Sequence, residues 1–146
     1  MFRGYNELTL DSKGRLAIPT KYHERLRERC GGNVVVTADP DQCLLLYPFP
    51  DWEEVERKLM KLPSFDPSVR ELQRLIVGYA AELEMDGSGR ILLPPGLRDK
   101  GHLTRDVVML GQGLKFELWD QTLFKERPPV PQHPNDSSAE LKTFSL

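Results

Sequence analysis

The chain has 146 residues, of which 39% are hydrophobic and 29% are charged, and its formal net charge is −2 at pH 7. Its sequence contains no run of about 18 apolar residues that could span a membrane and no apolar stretch typical of a signal peptide near its start. Its two cysteines, Cys30 and Cys43, predict reduced thiols rather than a disulfide framework, and therefore a cytoplasmic protein.

Two short strands joined by a tight turn are predicted near the N-terminus. Apolar residues alternate with others over residues 8–10 and 16–18, as in strands that have one buried face. Between these strands, Asp11 can accept a hydrogen bond from its own turn, and Gly14 can adopt the positive φ that tight hairpins require. The pattern therefore predicts a β-hairpin.

A short helix and a second pair of strands are predicted next. Thr20 is a good N-cap, and Gly31 is well placed to end the helix. Apolar runs at residues 34–37 and 43–47 then predict two further strands.

Two helices are predicted in the middle of the chain. Asp51, with Glu54 three residues later, has the pattern of a capping box. Asp66 followed by Pro67 is typical of a second helix start. The apolar stripe of this second helix consists of Val69, Leu72, Leu75, Ile76 and Tyr79.

The first part of the chain then recurs with an offset of 75 residues. Residues 8–22 read LTLDSKGRLAIPTKY and residues 83–97 read LEMDGSGRILLPPGL, while residues 44–52 loosely match residues 116–124. Such a repeat predicts two similar structural units. The predicted division of the chain is a first unit (1–50), a linking helical pair (51–80), a second unit (81–125) and a flexible tail (126–146).

The repeated D-x-x-G-R segment is the strongest candidate for a binding site. It places Arg15 and Arg90 at equivalent positions, and Lys13 accompanies only the first of them. Arginine offers a planar set of donors that suits phosphates and guanine edges, although a well-formed turn with a solvated arginine also fits the local sequence. Folding requires Asp and Gly in this turn but does not require Arg twice, so the residues leave a binding role and a solvated turn equally open.

Basic residues are concentrated near the N-terminus. Residues 1–30 carry seven Lys or Arg against four acids, whereas residues 39–66 carry seven acids against three bases. A local basic face can bind phosphates even on an acidic protein. For the cations of the first predicted helix, a solvated helix face is the simpler interpretation; these are Lys21, Arg25, Arg27 and Arg29.

Signals for catalysis or for a cofactor are weak. The three histidines have no metal-ligand spacing with a cysteine, and the sequence has no phosphate-binding glycine loop. His23 is expected to be exposed to solvent. We therefore expect no catalytic residue, metal or cofactor. Core or subunit packing, rather than base stacking, is expected for the aromatic residues Tyr47, Trp52, Trp119 and Phe124.

These motifs resemble those of the MraZ family of bacterial regulators, which consist of two swapped-hairpin domains of the AbrB type. The resemblance covers residues 1–125 and rests on the initial MFRG, LDSKGRLAIPTKYHERL, CLLLYPFPDWEEVERKL, RELQRLIVGYAAELEMDGSGRILLPPGLR and GQGLKFELWD. It implies an α+β, β-rich fold in which tandem AbrB-like units form a pseudo-symmetric, β-barrel-like core with flanking helices.

The resemblance also implies a function. It implies a nucleoid-associated regulator that binds short direct repeats in double-stranded DNA upstream of its own division and cell-wall operon, represses that operon, and forms a ring-shaped homo-oligomer. The D-x-x-x-R motif of the family is associated with DNA contact. The DNA-binding residues predicted here are Asp11, Lys13, Arg15, Asp86, Arg90 and Arg3. Because only the first loop has a lysine, it is expected to bind more strongly than the second.

Other functions stay open at this point. An oligomeric protein-interaction scaffold without DNA binding is favoured by the net charge of −2 and disfavoured by the paired arginines. An AbrB-type antitoxin or transition-state regulator has a similar fold but usually one unit per chain, so the repeat argues against it. An enzyme would need a candidate acid or thiol, and the sequence nominates neither.

Overall fold

The computed structural model describes residues 1–128, which form a β-rich α+β fold. The strands in this range are β1 (Phe2–Thr9), β2 (Arg15–Ala17), β3 (Asn33–Ala38), β4 (Leu44–Pro48), β5 (Ala81–Glu84), β6 (Arg90–Leu92), β7 (Asp106–Gly113) and β8 (Lys115–Asp120). The helices are α1 (His23–Cys30), α2 (Phe49–Met60), α3 (Pro67–Ile76), α4 (Pro95–Lys100) and α5 (Gln121–Glu126). None of the helices in this range has the length and apolar character needed to cross a membrane.

Each half of the chain supplies a strand to the other half. Six strands form one antiparallel sheet in the order β1-β7-β8-β4-β3-β5. Leu8 in β1 lies opposite Val107, and Leu83 in β5 lies opposite Val34. Because Leu8 and Leu83 are equivalent in the repeat, the two halves of the chain exchange equivalent strands.

A second, two-stranded sheet joins the segments that follow the two D-x-x-G-R turns. In it, β2 pairs with β6, and Leu16 lies directly opposite Ile91. Both residues are buried, and they are also equivalent in the repeat. The small sheet therefore pairs equivalent residues of the two repeats.

Both faces of the central strands β3 and β4 of the six-stranded sheet are buried. Along β4, Leu44 and Leu46 belong to a cluster that includes residues of β2, β6, α1 and α4, whereas Leu45 and Tyr47 belong to a cluster that includes residues of α2, α3 and α5. A strand that is covered on both faces needs apolar residues on both faces, and the sequences of β3 and β4 are accordingly almost continuous apolar runs. The small sheet and the α2–α3 pair thus lie on opposite sides of the main sheet.

The predicted N-terminal hairpin is wrong in its pairing. β1 and β2 meet only at an isolated bridge between Leu10 and Leu16, because each strand is paired with a strand from the second half of the chain. The main sheet ends at β1 and β5, and within residues 1–128 no pairing closes it into a barrel. The swapped hairpins implied by the resemblance stay a prediction.

Several local predictions are confirmed. The predicted strands at residues 34–37 and 43–47 correspond to β3 and β4. Gly31 ends α1 in the left-handed conformation, with a φ of 64°. The Asp66 carboxylate accepts a hydrogen bond from the Ser68 amide at 2.9 Å and caps α3.

The predicted start of the first helix is wrong. Thr20 does not cap a helix but begins a short 3-10 turn, Thr20–Tyr22, that precedes α1. Tyr22 is buried, and its hydroxyl donates to the Arg3 carbonyl oxygen at 2.6 Å. The turn is therefore held by a tertiary contact of Tyr22 instead of a side-chain cap.

The predicted capping box at Asp51 and the predicted extent of the next helix are also wrong. α2 begins earlier, at Phe49, and the Asp51 carboxylate accepts hydrogen bonds from the Arg29 guanidinium at 2.9 and 3.2 Å. α3 ends at Ile76, so Tyr79 lies outside the helix. The predicted tail begins within α5, and its residues from 129 onward lie outside the described residues.

Candidate nucleic-acid interface

Loop 1, which we define as Asp11–Arg15, is organised by its aspartate. Oδ1 of Asp11 accepts hydrogen bonds from the Lys13 amide at 2.9 Å and from the Arg15 amide at 2.8 Å. Oδ2 accepts from Nε of Arg15 at 2.8 Å. One carboxylate thus holds both the backbone of the loop and the direction of its arginine side chain.

Loop 2, which we define as Asp86–Arg90, has the same hydrogen bonds. Oδ1 of Asp86 accepts from the Ser88 and Arg90 amides, both at 2.9 Å, and Oδ2 accepts from Nε of Arg90 at 3.2 Å. The recurrence of Asp and Arg at a spacing of four therefore has a structural reason in both loops, because the carboxylate and the guanidinium bind each other.

These hydrogen bonds favour the charged form of both aspartates. The bond from the Arg15 amide has the largest effect in lowering the pKa of Asp11, and the Arg15 guanidinium and the Lys13 amide lower it further. The bond from the Arg90 amide likewise lowers the pKa of Asp86, with help from the Ser88 amide. Since the carboxylates stay ionised near neutral pH, both loops keep these bonds there.

Each loop arginine keeps donors available for a ligand. The side chains of Arg15 and Arg90 are 34% and 38% exposed. In residues 1–128, each guanidinium bonds to a protein acceptor only through Nε, so its terminal Nη groups are unused. A guanidinium that is oriented through Nε and open at its Nη groups suits a phosphate or the edge of a guanine.

The two arginines lie on the same outer face of the small sheet. Arg15 pairs with Leu92, and Ala17 pairs with Arg90, so Arg15 and Arg90 are diagonal neighbours across the strands. The Cα atoms of diagonal neighbours in an antiparallel pair are about 7–8 Å apart. The structure therefore brings together two arginines that are 75 residues apart in the sequence.

Each loop is also bonded to the other copy of the repeat. The Leu93 amide donates to the Gly14 carbonyl oxygen, and the Ile18 amide donates to the Gly89 carbonyl oxygen, both at 2.9 Å. The first bond attaches loop 1 to the residue that follows β6. The second attaches loop 2 to the residue that follows β2. The two loops thus form one connected structure rather than two independent turns.

A side chain from the opposite repeat covers the glycine of each loop. Arg98 lies on Gly14, where an added Cβ would come within 2.8 Å of its Cζ, and His23 lies on Gly89, where an added Cβ would overlap the imidazole ring. The two glycines have φ values of 86° and 80°. The backbone conformation therefore favours glycine at both positions, and at Gly89 the His23 ring also leaves no room for a Cβ.

The covering side chains are held by equivalent contacts with the backbone. Nε of Arg98 donates to the Leu93 carbonyl oxygen at 3.1 Å. Nε2 of His23 lies 2.5 Å from the Ile18 carbonyl oxygen. Arg98 is thus bonded to Leu93, whose amide donates to the Gly14 carbonyl oxygen. His23 is likewise bonded to Ile18, whose amide donates to the Gly89 carbonyl oxygen.

Sequence reasoning did not identify either covering residue as part of the site. The predicted exposure of His23 is wrong, because its ring is partly buried against loop 2. A signal was nevertheless present: residues 23 and 98 have the same offset of 75 as the loops themselves. Extending the repeat beyond residue 22 would have paired them.

Arg3 is not brought to the loops. It pairs with Gln112 near the start of β1. The six steps of strand from Arg3 to Thr9 span roughly 20 Å at about 3.4 Å per residue. The cations of α1 are exposed and partly engaged elsewhere, since Arg25 donates to the Met1 carbonyl oxygen at 2.8 Å. The structure thus joins loops 1 and 2 and leaves Arg3 outside them.

Other candidate groups have structural roles. The ring centroids of Tyr47 and Trp52 are 5.9 Å apart and those of Trp119 and Phe124 are 5.7 Å apart, which confirms packing for these pairs. Burial raises the pKa of the Cys43 thiol. Over residues 1–128, no group of three or more His, Cys, Asp or Glu side chains is arranged to hold a metal ion.

Several known proteins similar to this chain share one name. The family model described as "MraZ protein, putative antitoxin-like" matches residues 1–75 and again residues 76–127. A "Transcriptional regulator MraZ" from Nitrosomonas europaea is 60% identical over 148 aligned positions that cover all of both chains. Proteins of the same name from Nitrosomonas eutropha (61% identical, covering 82% of this chain and 81% of the relative) and Halorhodospira halophila (54% identical, covering 87% and 84%) are also similar. The two family matches contain one copy of the repeat each.

Proposed function

This chain belongs to the MraZ family, and from that premise we propose that it is a sequence-specific DNA-binding transcription regulator and not an enzyme. It represses its own division and cell-wall operon by binding short direct repeats in the double-stranded DNA upstream of it. The observation that carries this proposal is the pair of guanidinium groups of Arg15 and Arg90, which loop aspartates hold on one outer face. The names of the relatives support the regulatory role.

The chemistry of the two loops fits a DNA groove. Successive phosphates on one strand are about 3.4 Å apart along the helix axis. The Cα atoms of Arg15 and Arg90 are about 7–8 Å apart, and each guanidinium extends to the aspartate of its own loop, so the two side chains can reach groups two or more base pairs apart. In this proposal Arg15 and Arg90 bind DNA, Asp11 and Asp86 orient them, and Lys13 adds a phosphate contact. Arg3 is an outlying phosphate contact at the far end of β1.

We also propose that the protein binds DNA as a ring-shaped homo-oligomer associated with the nucleoid. Each subunit contributes one pair of loops from its two units, 1–50 and 81–125, around the helical pair 51–80. A ring repeats these loops at regular intervals, which suits direct repeats, and it combines individually weak contacts through a high effective concentration.

Exposed apolar residues support the oligomer. α3 has no buried residue within its own chain, although it has an apolar stripe. Exposed apolar side chains near the α2–α3 pair are Met60, Leu62, Phe65 and Tyr79. A neighbouring subunit that covered this surface would gain roughly 25 cal/mol per Å² of apolar area removed from water. The loops lie across the main sheet from it and would stay free for DNA.

Fluorescence anisotropy tests the DNA-binding proposal. The probes are the duplex directly upstream of the protein's own reading frame and a scrambled duplex of equal length. Wild type is expected to prefer the upstream duplex. Arg15→Ala is expected to lose about 1–3 kcal/mol of binding free energy, roughly 5- to 150-fold in affinity, while it sediments like wild type. Arg57→Ala, which removes an exposed arginine paired with Glu54 on α2, is the charge-matched control and should bind like wild type.

The outcomes separate the alternatives. Lost discrimination by Arg15→Ala would assign Arg15 to base contact, whereas uniform weakening with a shallower salt dependence would assign it to phosphates. If wild type binds neither duplex at low salt, the proposal fails and a protein-interaction scaffold, which the net charge of −2 permits, replaces it. A monomer at low micromolar concentration in sedimentation would overturn the ring.

A further inference from the structure

We propose that Arg98 is a further DNA-binding residue, which adds a permanent cation to loop 1, and that its repeat equivalent His23 supports loop 2 without adding one. This inference rests on the proposed DNA-binding function and goes beyond the loop residues named above. Its basis is the contact of each side chain with the glycine of the opposite loop.

A closed set of contacts fixes Arg98 at loop 1. Its Nε donates to the Leu93 carbonyl oxygen at 3.1 Å, and the Leu93 amide donates to the Gly14 carbonyl oxygen at 2.9 Å. The guanidinium lies directly on Gly14, between Lys13 and Arg15 in the sequence of the loop. Arg98 is therefore a third cation held beside the same five residues.

The remaining donors of Arg98 are available. The residue is half-buried, and among residues 1–128 its guanidinium bonds to a protein acceptor only through Nε. Glu82 and Glu84 line the same groove as Lys13 and Arg98. Within the described chain, however, neither of these two cations has a carboxylate oxygen within 4 Å. Lys13 and Arg98 thus keep their charge for an anion outside the protein.

His23 occupies the equivalent place at loop 2 with different chemistry. Its Nε2 lies 2.5 Å from the Ile18 carbonyl oxygen, so this nitrogen carries a proton and donates it. An imidazole, unlike a guanidinium, is not a permanent cation. Ser88 stands where loop 1 has Lys13. Loop 2 therefore offers the single cation of Arg90.

The consequence can be measured as a number of phosphate contacts. Each DNA phosphate that a cation neutralises steepens the plot of log affinity against log salt concentration by about 0.9. Arg98 should contribute one such contact, and His23 should contribute none.

The experiment measures the salt dependence of binding to the upstream duplex at pH 8 with the full chain. Arg98→Gln is expected to flatten the slope by about 0.9 and to weaken binding several-fold at low salt. Arg57→Gln, which removes an exposed arginine of α2 that is paired with Glu54, is the charge-matched control and is expected to leave the slope unchanged. His23→Arg should steepen the slope by about 0.9, because it places at loop 2 the side chain that already fits over a glycine at loop 1.

Arg98→Lys separates charge from loop shape. It keeps the cation and is expected to keep the wild-type slope, so a flattened slope in Arg98→Lys would overturn the inference. An unchanged slope in Arg98→Gln would also overturn it and would leave the DNA-binding proposal intact. Failure of wild type to bind the duplex would overturn both.

Discussion

Loops 1 and 2 have the same framework and different charges. In both loops an aspartate accepts two amide bonds and one Nε bond, and a glycine with positive φ lies beneath a side chain of the other repeat. Outside this framework the loops differ, with Lys13 against Ser88 and Arg98 against His23. The difference teaches that the framework is required for either loop to fold, whereas the surrounding positions can set how strongly each loop attracts an anion.

The largest expected effect distinguishes the two glycines. A side chain with positive φ costs about 1–2 kcal/mol at either position. An added Cβ at Gly89 would also overlap the ring of His23, which is short and fixed, whereas at Gly14 it meets the flexible end of Arg98. In urea unfolding at one protein concentration, we expect Gly89→Ala to lower the free energy of unfolding by about 3 kcal/mol or more. Gly14→Ala should lower it by about 1–2 kcal/mol.

A double variant tests the reason for this difference. Gly89→Ala combined with His23→Ala keeps the unfavourable φ and removes the overlap. Relative to His23→Ala alone, the free energy of unfolding should fall by only about 1–2 kcal/mol. Equal losses for the two single glycine variants would show that His23 gives way as easily as Arg98.

A smaller effect is expected when the charges of the loops are made equal. Ser88→Lys gives loop 2 the lysine of loop 1, and the framework should not change because Ser88 bonds Asp86 through its amide. In anisotropy measured over a range of salt, the slope should steepen by about 0.9, and Lys13→Ser should flatten it by the same amount. If Ser88→Lys leaves the slope unchanged, loop 2 lies away from the phosphates.

The smallest expected effect concerns the titration of the two loop aspartates, Asp11 and Asp86. Because the amides of Arg15 and Arg90 lower the pKa values of Asp11 and Asp86, their carboxyl signals in NMR should titrate below the ordinary aspartate range. The lowered folded-state pKa means that these bonds stabilise the fold above the unfolded-state pKa, and that this stabilisation is lost as the pH falls through the folded-state pKa.

A variant of one loop sharpens the titration. Arg15→Met removes the Nε bond of loop 1 alone, so it should raise the pKa of Asp11 part of the way and leave that of Asp86 unchanged. Titration of either wild-type carboxyl at or above the ordinary range would contradict the hydrogen bonds of that loop.

The framework of the loops could be predicted from the sequence because its contacts are local. Asp11, Gly14 and Arg15 lie within five residues, so turn chemistry determines how they bond. The cap at Asp66 and the helix end at Gly31 were predictable for the same reason. The covering residues His23 and Arg98 were not, because their contacts cross from one repeat to the other.

Asp51 shows why local reasoning fails at other positions. Asp followed three residues later by Glu fits a capping box. Arg29, however, lies close enough to donate to this carboxylate at 2.9 Å, and the Asp51 side chain is only 9% exposed. The Asp51 carboxylate therefore bonds to Arg29, 22 residues away, and does not cap its own helix. A buried carboxylate gains more free energy from a charged donor than from a backbone amide.

The sequence by itself determined the two loops, their arginines and the approximate positions of most helices and strands, since these depend on residues within one turn or one strand. Only the tertiary structure decided which strands pair, that Arg15 and Arg90 become diagonal neighbours, and that His23 and Arg98 cover the opposite loops. The physical reason is that a period-2 apolar pattern specifies the buried face of a strand but not its partner. The partner is selected by the arrangement that removes the apolar faces of both repeats from water at once.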